Sequence, residues 1–183
     1  MDVTNKLMQE HQLILRYIAF VERLASAWVP GVNDEQNLQA LKETAGFIKS
    51  YADRYHHAKE EDILFHRLEE PGVLTHCNPI PVMLSDHEEG RAMTAGLLKA
   101  VEAKNRENAL AYALRWCEHL TAHIYKEDNV LYPMAEEGLS DSEKAEIAQD
   151  YEKAEQRQDP GLEAHYRRLL QTLENQLEVV YVR

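Results

Sequence analysis

The sequence predicts an all-α protein, and three observations carry the prediction. The 183 residues include only 7 Gly and 6 Pro, against plentiful Leu, Ala, Glu, Lys and Gln, the strong helix formers. Apolar residues recur at intervals of three and four over four long stretches. Short segments bearing Pro, Gly or Asn join those stretches, which favours an up-down-up-down four-helix bundle followed by two additional C-terminal helices.

The first helix is expected from about Thr4 to Trp28, on the stripe Thr4, Leu7, His11, Ile14, Ile18, Val21, Ala25 and Trp28. His11 interrupts an otherwise apolar row. Pro30-Gly31 ends the pattern, Asn33 or Asp34 can cap the next helix, and Leu38, Leu41, Ala45, Ile48, Ala52, His56 and Ile63 mark its inner face. Pro71 to Pro81 reads as a connector. Met83, His87, Gly90, Thr94, Leu97 and Val101 then define a third helix, whose Gly90, Ala92, Ala95 and Gly96 leave room either for a ligand channel or for close helix packing. After a turn at Lys104 to Glu107, Ala113, Trp116, Leu120, His123, Glu127, Val130 and Met134 define the fourth, ending at Glu137-Gly138 with the glycine as C-cap.

Residues 1–138 thus read as the bundle and 139–183 as a helical extension, packed on the bundle or at a dimer interface. Ser140-Asp141-Ser142-Glu143 is a capping box opening a polar helix, and Asp159-Pro160 reads as N-cap and N1 of the last. Its row is Leu162, His165 or Tyr166, Leu169 or Leu170, Leu173, Leu177 and Val180, which covers the bundle or pairs with a second copy in a homodimer.

Composition excludes several classes of function. The net charge of −12, without a Lys/Arg cluster, argues against nucleic-acid partners. Cys77 and Cys117 stand far apart, with no C-x-x-C spacing, so neither a disulfide framework nor a thiolate zinc site is indicated. MDVTNKLMQEHQ lacks a signal-peptide pattern, and no apolar run approaches the roughly 18 residues of a membrane span. The expected compartment is the cytoplasm.

Chemistry enters through a repeat. Shifted by 67 residues, HHAKEEDILFHRLEE (His56 to Glu70) lies on HIYKEDNVLYPMAEE (His123 to Glu137) without a gap, identical at 6 of 15 positions. His56 matches His123 and Glu60 matches Glu127, while His57 and Glu61 match Ile124 and Asp128. Each H-x-x-x-E is preceded, on the previous helix, by an acid-His step: Glu10-His11 and Asp86-His87. Residues four apart share a helix face, so the histidine and glutamate of each pair can reach one point inside the bundle. At about 100° per residue, His56 and His57 are not expected to face the core together, which leaves His57 and Glu61 as supporting or surface groups.

A lone histidine in an apolar stripe is ordinarily a hydrogen-bonded core residue. Four of them with two glutamates, repeated in both halves, point instead to metal ligands: His11, His56, Glu60, His87, His123 and Glu127. Mixed N/O ligation suits iron or manganese, then zinc, and six side chains with two carboxylates able to bridge suit two metals. His119 reads as an edge histidine or a further donor, Tyr51, Tyr55 and Tyr125 as packing or gating groups, Cys117 as an inert core residue, and His66, His76 and His165 as solvent-exposed.

This set, His11, then H-x-x-x-E-E-x-I-L-F from His56, then His87, then H-x-x-x-E-D-x-V-L-Y-P from His123, resembles the hemerythrin-like (HHE cation-binding) family over roughly residues 5 to 137. The resemblance implies a non-haem di-iron centre with Glu60 and Glu127 bridging and the histidines terminal. It implies functions among oxygen binding and sensing, iron handling, nitric oxide or peroxide responses and iron-sulfur repair. The chain differs from the family's oxygen carriers in having Arg91 one turn after His87, where they carry a second histidine. The expected function is a protein that binds or senses oxygen, nitric oxide or peroxide, or handles iron. The alternatives are a di-iron redox enzyme or repair protein, and an interaction bundle whose metal is structural.

Overall fold

The computed structural model describes residues 2–181, and among them every regular element is a helix. α1 is Asn5–Ala27. α2 (residues 34–68) is a continuous rod of Asp34–Phe47, Ile48–His57, Glu60–Leu64 and Phe65–Leu68. α3 is Ile80–Glu102, and α4 (residues 106–138) joins Arg106–Lys126, Glu127–Leu131 and Tyr132–Gly138. α5 is Asp141–Gln156 and α6 is Leu162–Tyr181. No described helix is long and apolar enough to cross a membrane.

The helix ends follow local chemistry. Asp2 accepts the N–H groups of Thr4 and Asn5, satisfying donors that α1 leaves free. Asn33 enters α2 in the left-handed region (φ 55°), and the Asp34 carboxylate takes the Gly31 N–H and the Trp28 indole. α3 starts at Ile80 and absorbs Pro81, earlier than the sequence indicated, because proline is tolerated in a first turn, where its missing N–H has no partner to lose. Asn105 caps α4, and Ser140 and Glu143 form the full capping box of α5. Gly138 is not a left-handed cap. A Cβ there would run into the Val73 carbonyl, so the glycine serves the close approach of the connector between α2 and α3.

Two apolar clusters enclose a polar box. One gathers Leu13, Tyr17, Phe20, Phe47, Tyr51, Trp116 and Leu120 with Tyr166, Leu170 and Leu173 of α6. The other gathers Leu7, Leu64, Phe65, Leu68, Leu131 and Tyr132 with Ile147 and Tyr151 of α5. Of the alternatives in the α6 row, Tyr166 and Leu170 are the buried ones; the side chain of Val180 lies outside the described residues. The Tyr17 hydroxyl donates to the Tyr166 carbonyl, and Arg16 and Arg23 hold Glu174 from α1.

The inner face drifts by one residue in the later parts of α2 and α4. Ile63 is half-buried and Val130 is 45% exposed, whereas Leu64, Phe65, Leu131 and Tyr132 are buried. The cause is π-helical winding at Ile48–His57, Glu60–Leu64 and Glu127–Leu131. An i→i+5 turn takes an extra residue and re-phases everything after it.

Candidate metal centre

All six predicted side chains point into the box between the clusters, and each is at most 1% exposed. His11 comes from α1, His56 and Glu60 from α2, His87 from α3, and His123 and Glu127 from α4. The imidazoles meet in pairs. His11 and His56 bring their Nε2 atoms within 2.9 Å, edge to face at 61°, and His87 and His123 repeat this at 3.0 Å and 75°.

Each ring is fixed from behind by a carboxylate. His56 Nδ1 faces Glu10 at 2.9 Å and His123 Nδ1 faces Asp86 at 3.2 Å. His11 Nδ1 faces Asp128 at 2.8 Å and His87 Nδ1 faces Glu61 at 2.6 Å. A carboxylate accepting the Nδ1 proton selects the tautomer whose Nε2 lone pair points inward, the arrangement that orients a metal-binding imidazole. Lysines complete the symmetry, Lys59 on Glu10 and Lys126 on Asp86. These acids and lysines were visible in the repeat as acid-His and H-x-x-K-E-[E/D], but their roles required the contacts between helices.

Of the four carboxylate oxygens between the pairs, three lack an aligned hydrogen bond. Neither oxygen of Glu127 has an aligned hydrogen bond, although they stand 3.1 Å from His123 Nε2 and 3.3 Å from His11 Nε2, and Glu60 Oε2 has none either. Burial and the neighbouring Glu127 push the Glu60 carboxyl well above its usual range. Burial would also raise Glu127, but the surrounding imidazoles, His123 first, hold it well below. His56 is driven down by burial and by the charge of His11.

These orphaned groups fit metal. Two nitrogens about 2.1 Å from one ion and at right angles on it stand about 3 Å apart, which matches both pairs. His11, His56, Glu60 and Glu127 offer donor atoms all within 4.8 Å of one another, as do His57, His87 and His123.

Two placements differ from the sequence reading. His57 is buried at 7% exposure beside His56, because a helix contacted from two sides buries two adjacent positions. It stacks on His87 at 3.8 Å and 11° rather than meeting it edge to face. Of the tyrosines singled out, Tyr125 is 66% exposed, whereas Tyr132, aligned with Phe65 in the repeat, reaches the centre and donates to Glu60 Oε1 at 2.6 Å. His119 lies at the edge, its Nε2 2.8 Å from the Asp86 carbonyl. Glu61 is the acid behind His87, His66, His76 and His165 are exposed, and Cys117 is buried, its thiol pushed up to about 12 by burial.

Comparison with known proteins adds a family. The hemerythrin HHE cation binding domain description matches residues 2–135. Uncharacterized proteins of Mycobacterium bovis and Mycobacterium tuberculosis are 27% identical over 161 residues, which is 82% of this chain and 60% of theirs, so the chain spans less than two thirds of these relatives. No solved structure matches it significantly.

Proposed function

The chain belongs to the hemerythrin HHE cation-binding family, and we propose on that premise that it is a non-haem di-iron protein that binds or senses a small ligand, namely oxygen, nitric oxide or peroxide. The observation that carries this reading is the set of four Nε2 atoms, each oriented by a carboxylate behind its ring, converging on two buried carboxylates of whose four oxygens only Glu60 Oε1 has an aligned hydrogen bond.

In this reading α1 to α4 form an up-down-up-down bundle, residues 1–138 are the metal-binding unit and residues 139–183 its extension. His11 and His56 would hold one iron and His87 and His123 the other, with Glu60 and Glu127 as the carboxylates available to both. Iron is preferred to manganese or zinc because domains of this family typically bind it. The bound metal supplies a redox change and an open coordination position. The chain's own contribution is orientation by Glu10, Asp86, Asp128 and Glu61, exclusion of water by the two apolar clusters, and a phenolic proton held on Glu60 by Tyr132. The exposed free Cys77 favours a reducing compartment, the cytoplasm.

Protein expressed with iron should carry about two atoms per chain, as a carboxylate-bridged pair requires. Its near-ultraviolet absorption should respond to oxygen, nitric oxide or peroxide, and Glu60→Ala and His56→Ala should abolish both properties. Protein that stays iron-free after reloading, or that holds a single zinc, overturns the reading. A second reading, turnover of the same ligands, is favoured by Tyr132, whose phenol places a proton on a bridging carboxylate. Consumption of many equivalents per centre separates turnover from binding.

A further inference from the structure

We propose that a small neutral ligand reaches the centre from one side only, through the cavity between α2, α3 and α4, at the metal position framed by His87 and His123. This rests on the metal-binding reading above and adds which position takes the ligand and which molecules can arrive. The cavity has a volume of about 150 Å³ and walls that include Ile48, Ala52, Leu98, Trp116 and Leu120; His57, His87 and His123 also line it. That is ample for a diatomic molecule and near the size that takes one benzene ring.

On the opposite side a cavity of about 430 Å³, lined by Tyr55, Lys59 and Glu155 among others, reaches none of the six inward side chains. The Tyr132 ring stacks on His11 at 5.7 Å, and behind His56 the buried Glu10 is closed over by Lys59, 1% exposed and bound also to Glu155 of α5.

Gly90 supports the same route independently. A glycine weakens a mid-helix position, so one that persists there has another use. Gly90 has no positive φ, and no heavy atom lies within 4 Å of where its Cβ would stand. Neither conformation nor packing calls for glycine, and Gly90 lines the cavity. Gly96, one and a half turns on, is the contrast, since a Cβ there would strike the Tyr112 ring. The small residues of α3 therefore serve two purposes, space at Gly90 and Ala95 and close packing at Gly96.

His57 supplies the polar contact inside. Its Nδ1 is buried without a hydrogen-bond partner, 3.8 Å from Asp53, and its ring stacks on His87. At the rim the Arg91 guanidinium is bound to three carboxylates, Asp53, Glu61 and Glu88, so no free cation of Arg91 attracts anions. The charged groups of the lining balance, Asp53 and Asp86 against Lys49 and Arg91, so it is the apolar walls that favour dioxygen or nitric oxide over charged oxyanions.

The test uses the iron-loaded full chain with Gly90→Leu and Ala95→Leu, which fill the cavity from two turns, and Ala92→Met, on the exposed face of α3 outside the cavity, as control. Iron content and absorption spectrum should stay at wild-type values while the nitric oxide association rate falls at least about tenfold in either Leu variant and little in the Met control. Xenon, followed by NMR, should bind the wild type saturably and lose binding in the Leu variants. Xenon binding without an effect of either Leu variant on the nitric oxide rate overturns the route alone. A wild type that takes up no iron sinks the metal reading and the route with it, whatever xenon does, and a wild type without a xenon site overturns the cavity.

Discussion

At the scale of single residues, the centre depends on proton bookkeeping at Nδ1. Glu10, Asp86, Asp128 and Glu61 each take one imidazole proton, so replacing an acid by its amide leaves volume intact while loosening the ring. Glu10→Gln and Asp86→Asn should each weaken metal binding by about 10–100-fold with helix content unchanged. Competition with a chelator measures this, and wild-type affinity in both would refute the orienting role. The same residues set the pH dependence. Burial alone would lower His11, but the Asp128 and Glu127 carboxylates beside it raise it to about 10. A group held protonated in metal-free protein must release that proton to bind metal, so apparent affinity rises with pH through that range and falls on acidification. Calorimetry of metal loading in two buffers of different ionisation enthalpy should therefore show net proton release.

At the scale of elements, His11, His87 and His123 stand on ordinary α-helix, whereas α2 and α4 are irregular where they carry His56, Glu60 and Glu127. Glu60 and Glu127 each open a π-helical turn, which re-aims the residues after them and brings Leu64, Phe65, Leu131 and Tyr132 inward. A pattern search with a fixed period of 3.6 residues places Ile63 and Val130 inside instead, because nothing in local composition marks the extra residue. Glycines sort by the same test of space. Gly96→Ala and Gly138→Ala force a Cβ onto the Tyr112 ring and the Val73 carbonyl, and should cost about 1–3 kcal/mol each. Gly90→Ala meets open space and should stabilise by about 0.5–1 kcal/mol through helix propensity. Urea unfolding of the three variants checks the opposite signs.

At the scale of the whole molecule, α5 and α6 complete the bundle rather than trail from it. α6 fills one apolar cluster with Tyr166, Leu170 and Leu173, and α5 fills the other with Ile147 and Tyr151. α5 also reaches the centre's support, since Glu155 binds Lys59, which binds Glu10, which orients His56. Glu155→Ala should lower stability by about 1–3 kcal/mol, because it strips a partner from a cation that is 1% exposed. It should also weaken metal binding, whereas Glu152→Ala on the exposed face of α5 should change neither. Thermal melts and chelator competition on both variants test the link; equal behaviour would confine the centre's support to α1–α4.

The sequence by itself determined the helices and the inward burial of six polar side chains, His11, His56, Glu60, His87, His123 and Glu127. Helical periodicity and the H-x-x-x-E spacing are local properties, and a repeat that keeps His and Glu while exchanging their neighbours separates chemistry from packing. Only the tertiary structure decided which acid stands behind which imidazole, why His57 is buried beside His56, why Tyr132 is the tyrosine at the centre, and where space remains beside His87 and His123. Those facts depend on how each helix is rotated against its neighbours. Asp128 meets His11 across 117 residues and Glu10 meets His56 across 46. Contacts of that range are set by packing, π turns and hydrogen-bond geometry acting together, and no single stretch of the chain encodes them.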